Sequence, residues 1–225
     1  MSFTNKLIGF ALLTGCATQL VAQLPVRDLA PYLIPDRAAE IALARSAAPA
    51  AISDSAAVLV LTRAGYVNAA HGPNGFVCIV LRGFAGPLSN DSSWWNPKVR
   101  APLCLNPAAV RSVLPEMKQR AALVMAGTPA SDIVARIYRE YASHQLTMPA
   151  DGAMTYMMSH NQYLADENPP WKPHLMFFYG GGRNGAEWGA GNEAPIIDGG
   201  VDKKSGISIM LIPVSHWSDG TPFSG

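Results

Sequence analysis

Two histidines offer the most chemistry in this chain. His160 and His174 flank a segment that carries Asp166, Glu167 and Trp171. Imidazole titrates near neutral pH, so either ring could act as general acid or base with Asp166 as its carboxylate partner. Zinc and iron also accept two imidazoles plus a carboxylate. His160 and His174, with Asp166 or Glu167, are therefore candidate ligands for a divalent metal. Their spacing matches no metal signature, and the competing reading has each histidine simply hydrogen-bonding at a strand end.

The glycine run that follows is the second candidate. In Gly180-Gly181-Gly182-Arg183, successive backbone N–H groups could form an anion nest, and Arg183 adds a bidentate donor for carboxylate or phosphate. Tyr156, Tyr163, Trp171 and Trp188 could stack on a flat or sugar-like ligand or equally close the end of a small sheet, and Trp171, Tyr179 and Arg183 are the candidate ligand-binding residues. Tyr179-Gly180-Gly181-Gly182 resembles the His-Gly-Gly-Gly oxyanion loop of lipase-like esterases. Tyrosine stands where that loop has histidine, and no G-x-S-x-G elbow exists, so no activity is carried over. The competing reading is a surface turn. Met154, Met157, Met158 and Met176 could line an adaptable pocket or simply fill the core. Walker A, H-E-x-x-H, C-x-x-C and G-x-G-x-x-G motifs are all missing.

These residues need a scaffold. Ala153 to Ser159 and His174 to Tyr179 read as strands meeting at the histidine end. Earlier, Ala56 to Thr62, Tyr66 to His71 and Phe76 to Arg82 read as three strands joined by tight turns, an antiparallel meander. The Asn74-Gly75 pair marks the second turn. In the third strand, Phe76, Cys78, Val80 and Arg82 share one face and Val77, Ile79 and Leu81 the other. Both faces are largely apolar, which predicts a central position. Gly206 to Pro213 reads as a last strand.

Helices are expected from Pro35 to Ser46, with Ala38, Ile41, Ala42 and the stem of Arg45 inward. Others start after Asn106-Pro107, at Pro115 and at Thr128-Pro129. In the last of these, Ile133, Ile137 and Tyr141 form an apolar stripe. Leu24 to Leu33 reads as a linker or irregular edge. Gly83 to Leu103 reads as one long loop in which Trp94 and Trp95 cover the core or wall a pocket.

Composition narrows the class. A chain of 225 residues, 49% hydrophobic and 15% charged, with its apolar residues in short runs, fits one globular domain. Residues 1–22 read as an export signal: Lys6, a short apolar stretch, then small residues. Leu13-Thr14-Gly15-Cys16 resembles the lipobox of bacterial lipoproteins, which implies a signal of residues 1–15, a lipidated Cys16 and a membrane contact only through that anchor. The alternative is cleavage after Ala22. Removing Lys6 leaves 16 basic residues against 16 acidic ones. Such neutrality argues against a nucleic-acid partner. Either route leaves Cys78 and Cys104, an even pair that suggests a disulfide in an oxidising compartment.

The expected fold class is therefore α+β, with residues 23–225 as one domain. An antiparallel sheet is built from the N-terminal meander and the C-terminal strands, and a central block of helices packs on it. The expected role is that of an exported bacterial protein of the periplasm, envelope or exterior that binds a small ligand or an envelope partner. The alternatives are an extracytoplasmic hydrolase or metal-dependent enzyme using His160, His174 and a nearby carboxylate, and a structural envelope protein.

Overall fold

The most apolar strands take the centre of a single eight-stranded sheet. The computed structural model describes residues 27–88, 94–166, 171–183, 185–192 and 195–224. The expected export signal, Cys16 and Glu167 lie outside the described residues. The strands are β1 (Ala57–Thr62), β2 (Gly65–Ala70), β3 (Val77–Leu81), β4 (Ala101–Leu105), β5 (Met154–Met157), β6 (His174–Tyr179), β7 (Ile197–Asp202) and β8 (Ile207–Pro213). Their order across the sheet is β2-β1-β3-β4-β5-β6-β8-β7. Every pairing is antiparallel except β1 with β3.

That parallel pair corrects the expected meander. β1 and β2 do form a hairpin, but β3 passes across the start of β1 and pairs on its other side. Gly72 makes the crossing, and a Cβ there would fall 2.2 Å from the Ser55 carbonyl oxygen. Asn74 holds it, donating from its side chain to the Ile52 carbonyl and accepting from the Phe76 N–H. The physical reason is burial. β1 and β3 are apolar on both faces, whereas β2 carries the exposed Asn68 and suits an edge. A six-residue link can close a hairpin or straddle a strand equally well.

β4 begins inside the stretch that read as one long loop, and β7 lies where the sequence reading places no strand. Pro102 hides β4, because proline cannot donate to a ladder. It is tolerated because β5 pairs only with Cys104 and Leu105, which leaves Pro102 with a neighbour on one side alone. In β7, Gly199 lies against β8, where a Cβ would meet the Ile209 carbonyl oxygen at 2.9 Å.

The helices divide between the two faces, which corrects the expected central block. α1 (Arg37–Arg45), capped by the Asp36 carboxylate, packs on the face of Val58, Cys78, Val80 and Cys104. The short α2 (Ala50–Ser53) follows. On the other face, α3 (Pro107–Ser112), α4 (Leu114–Met125) and α5 (Ala130–Ala142) join Leu59, Leu61, Ile79, Leu103 and Leu105 in the larger core. In α5 the expected stripe holds. Ile133 and Ile137 are fully buried, each contributing about 1.5–3 kcal/mol.

The inward face of α1 differs from expectation. Glu40 and Ala44 are buried, while Ala38 and Ala42 face solvent. The cause is Arg82, which continues the Cys78–Val80 face into the core. Its guanidinium meets Glu40 Oε1 at 2.7 Å, and that oxygen also accepts from the Leu61 N–H. Apolar periodicity cannot reveal a charge drawn inward by an opposite charge on another element. The segment before α1 is no loose linker either, since Leu29 and Tyr32 enter the core.

Cys78 and Cys104 are bonded, as expected. They face each other across β3 and β4 in register, so the bridge staples two central strands rather than a loop. A buried disulfide of this kind fits an oxidising compartment. Among the described residues no helix is long and apolar enough to cross a membrane.

Candidate functional site

A cleft opens between the sheet and the helices on one of its faces. α4 packs on β2 and on residues 83–88, and α5 packs on α4 and reaches Asp202 of the opposite edge strand β7 through Tyr138. The result is a cavity of about 670 Å³ bounded by the sheet, α4, α5 and residues 83–88. Its floor is one pleat face. Leu103, Met157, Met176, Phe178, Ile209 and Leu211 all line it, alternating along β4, β5, β6 and β8. Register places Met176 beside Leu211 and Phe178 beside Ile209, so these side chains form a continuous apolar surface.

The facing wall carries the cavity's polarity. Arg120 on α4 donates to Glu116 Oε1 from Nε at 2.7 Å, and a terminal nitrogen lies 2.5 Å from the same oxygen. The other terminal nitrogen donates to the Gly86 carbonyl and, at 3.4 Å, to that of Phe84. The pair thus ties α4 to residues 83–88. Tyr141 lines the same wall, and its hydroxyl is held above the usual phenol range by burial first and by the Glu116 charge second. At the rim, Asp202 Oδ2 accepts from Tyr138 at 2.8 Å, and burial with that bond pushes Tyr138 up to about 12.

The candidate histidines go to different surroundings. His174 is buried, its Nδ1 bonded at 2.9 Å to the Lys172 carbonyl and its ring edge-on to Trp171. Burial lowers it to about 4 despite that hydrogen bond, which pulls the other way. His160 is exposed. It stacks on Trp217 with ring centroids 4.2 Å apart, and its Nε2 meets Thr221 Oγ1 at 2.6 Å and Asp219 at 3.7 Å. Asp166 lies in a third group with Lys98, Asn96 and Tyr163, and its carboxyl is lowered chiefly by the Lys98 hydrogen bond. Among the described residues no hydrogen bond or ion pair joins any two of His160, His174 and Asp166, and no group of three or more His, Cys, Asp or Glu could hold a metal. Met157 pairs with His174, so both histidines follow the same end of the sheet, but each ring is engaged by its own partners. β5 ends at Met157, and the chain turns away to bond Ala47 before His160.

The glycine turn is also engaged. Gly181 and Gly182 take left-handed φ values, but the Gly182 N–H donates to the Gly206 carbonyl at 2.7 Å instead of facing a nest. Arg183 is exposed, and its carbonyl accepts from Ser208. Tyr179 pairs with Trp188 at 5.1 Å, away from Trp171, whose ring meets His174. Two of the four methionines singled out by sequence, Met157 and Met176, do line the cavity. Trp94 is wholly buried and Trp95 abuts Tyr32, so this pair covers the core.

Sequence reading missed Ala101, Leu103 and residues 83–88 as cavity lining because they lay in the stretch from Gly83 to Leu103 that read as one long loop. The apolar runs at 174–179 and 206–213, which read as strands, were the available signal. Comparison with known proteins finds no matching family model, no matching curated protein and no matching solved structure.

Proposed function

We propose that this is an exported binding protein for an apolar small molecule, held between the pleat face of β4–β8 and the α4–α5 wall. The cavity carries the reading. About 670 Å³ lies inside the range of roughly 300–1,000 Å³ usual for small-molecule sites, and its lining is mostly aliphatic with a few polar groups. Met157 and Met176 give the floor side chains that adapt to an irregular ligand. The buried disulfide supports a place outside the reducing cytoplasm, and the leader composition supports export by either cleavage route. A purely structural role gives no reason for such a cleft, and among the described residues no group of three or more His, Cys, Asp or Glu could hold a metal.

The test is a titration of delipidated protein with N-phenyl-1-naphthylamine, an uncharged fluorophore that brightens in apolar sites. One saturable site is expected, with micromolar or tighter affinity and loss of signal when Met176→Trp fills the floor. No saturable signal, or a signal unchanged in that variant, overturns the proposal.

A further inference from the structure

The charges around the cavity define the head group of its ligand. Two guanidiniums line the space, and both are engaged. Arg120 is bonded to Glu116 and to two carbonyls. Arg82 is bonded to Glu40 and to the carbonyls of Tyr32 and Val80. One lining carboxylate, Asp202, has no guanidinium against it. It accepts from Tyr138 and from the N–H groups of Lys204 and Ser205. An anionic head would therefore enter beside Glu116 and Asp202 with no uncommitted guanidinium in the lining to receive it. Desolvation makes that unfavourable. A cationic head would have to compete with Arg120 for Glu116, or with Tyr138 and the N–H groups of Lys204 and Ser205 for Asp202, in a largely apolar space. An uncharged head meets neither penalty, because lining residues Tyr141 and Ser205 carry hydroxyls that can both donate and accept. The floor of Leu103, Met157, Met176, Phe178, Ile209 and Leu211 offers unbroken apolar contact for a hydrocarbon tail.

We infer that the ligand is a single-chain amphiphile with an uncharged polar head, of the long-chain alcohol or monoacylglycerol class. This rests on the cavity being a ligand site, as proposed above. The tail adds affinity through burial at about 0.8 kcal/mol per methylene, or roughly fourfold for each.

The experiment is displacement of N-phenyl-1-naphthylamine at pH 8 by dodecanol, decanol, monolaurin and laurate, each below its aggregation limit. Dodecanol and monolaurin are expected to compete at least tenfold better than laurate. Decanol is expected to fall about 16-fold below dodecanol. In Glu116→Gln, and more weakly in Asp202→Asn at the rim should the first variant not fold, laurate should gain about tenfold relative to dodecanol. Laurate equal to dodecanol, or a ratio unmoved in the folded variants, overturns the head-group assignment while fluorophore binding keeps the site itself. Absence of fluorophore binding overturns both.

Discussion

His174 makes the protein acid-sensitive in a way that one substitution should remove. Its ring is 2% exposed, and Nδ1 must carry the proton, since the Lys172 carbonyl opposite can only accept. Burial disfavours the charged ring and lowers it from 6.5 to about 4. The unfolded chain therefore binds the proton first as pH falls. Above pH 6.5 neither state is protonated and nothing is lost. Between 6.5 and about 4 the unfolded state holds more protons, and stability declines. At about 1.4 kcal/mol per tenfold change in proton affinity, the full loss is about 3.5 kcal/mol, of which about 2.5 has occurred by pH 4.5.

His174→Asn keeps an N–H near the Nδ1 position and cannot titrate. Urea unfolding followed by tryptophan fluorescence should be run on both proteins at pH 7 and pH 4.5. Carboxylate contributions are common to the two, so the wild-type drop should exceed the variant's by about 2.5 kcal/mol. Equal drops would refute the reasoning. So would an NMR titration placing His174 at or above 6.5. The same measurement bears on chemistry, because a ring neutral down to about pH 4 is a poor match for acid–base work at neutral pH.

Three further outcomes follow from the fold. Replacing Cys78 and Cys104 with alanine should cost about 3.5 kcal/mol for their separation of 26 residues, lowering Tm by about 10 °C in a thermal melt. Arg82→Met leaves Glu40 buried with the Leu61 N–H but no cation, and should cost about 3–5 kcal/mol in urea unfolding; adding Glu40→Leu should recover most of that loss. Met176→Trp should lower N-phenyl-1-naphthylamine affinity at least tenfold while Tm holds or rises, because it fills space instead of displacing packed atoms.

Local patterns determined a good part of this protein. The Asn106 cap, the Ile133–Ile137 stripe and the apolar runs of β6 and β8 are written in short-range chemistry, and each element appears where that chemistry places it. The Cys78–Cys104 bond was legible because only two cysteines remain once Cys16 is assigned to the leader. Tertiary structure alone decided which side of β1 receives β3, since a six-residue link permits both and burial of two apolar faces makes the choice. It also decided that Pro102 could lie in a strand, that Glu40 turns inward to Arg82, and that His160 and His174 take different hydrogen-bond partners. The cavity belongs to this second kind. Its floor comes from four strands spread between residues 101 and 213 and its wall from the consecutive helices α4 and α5, so no single stretch of chain carries it.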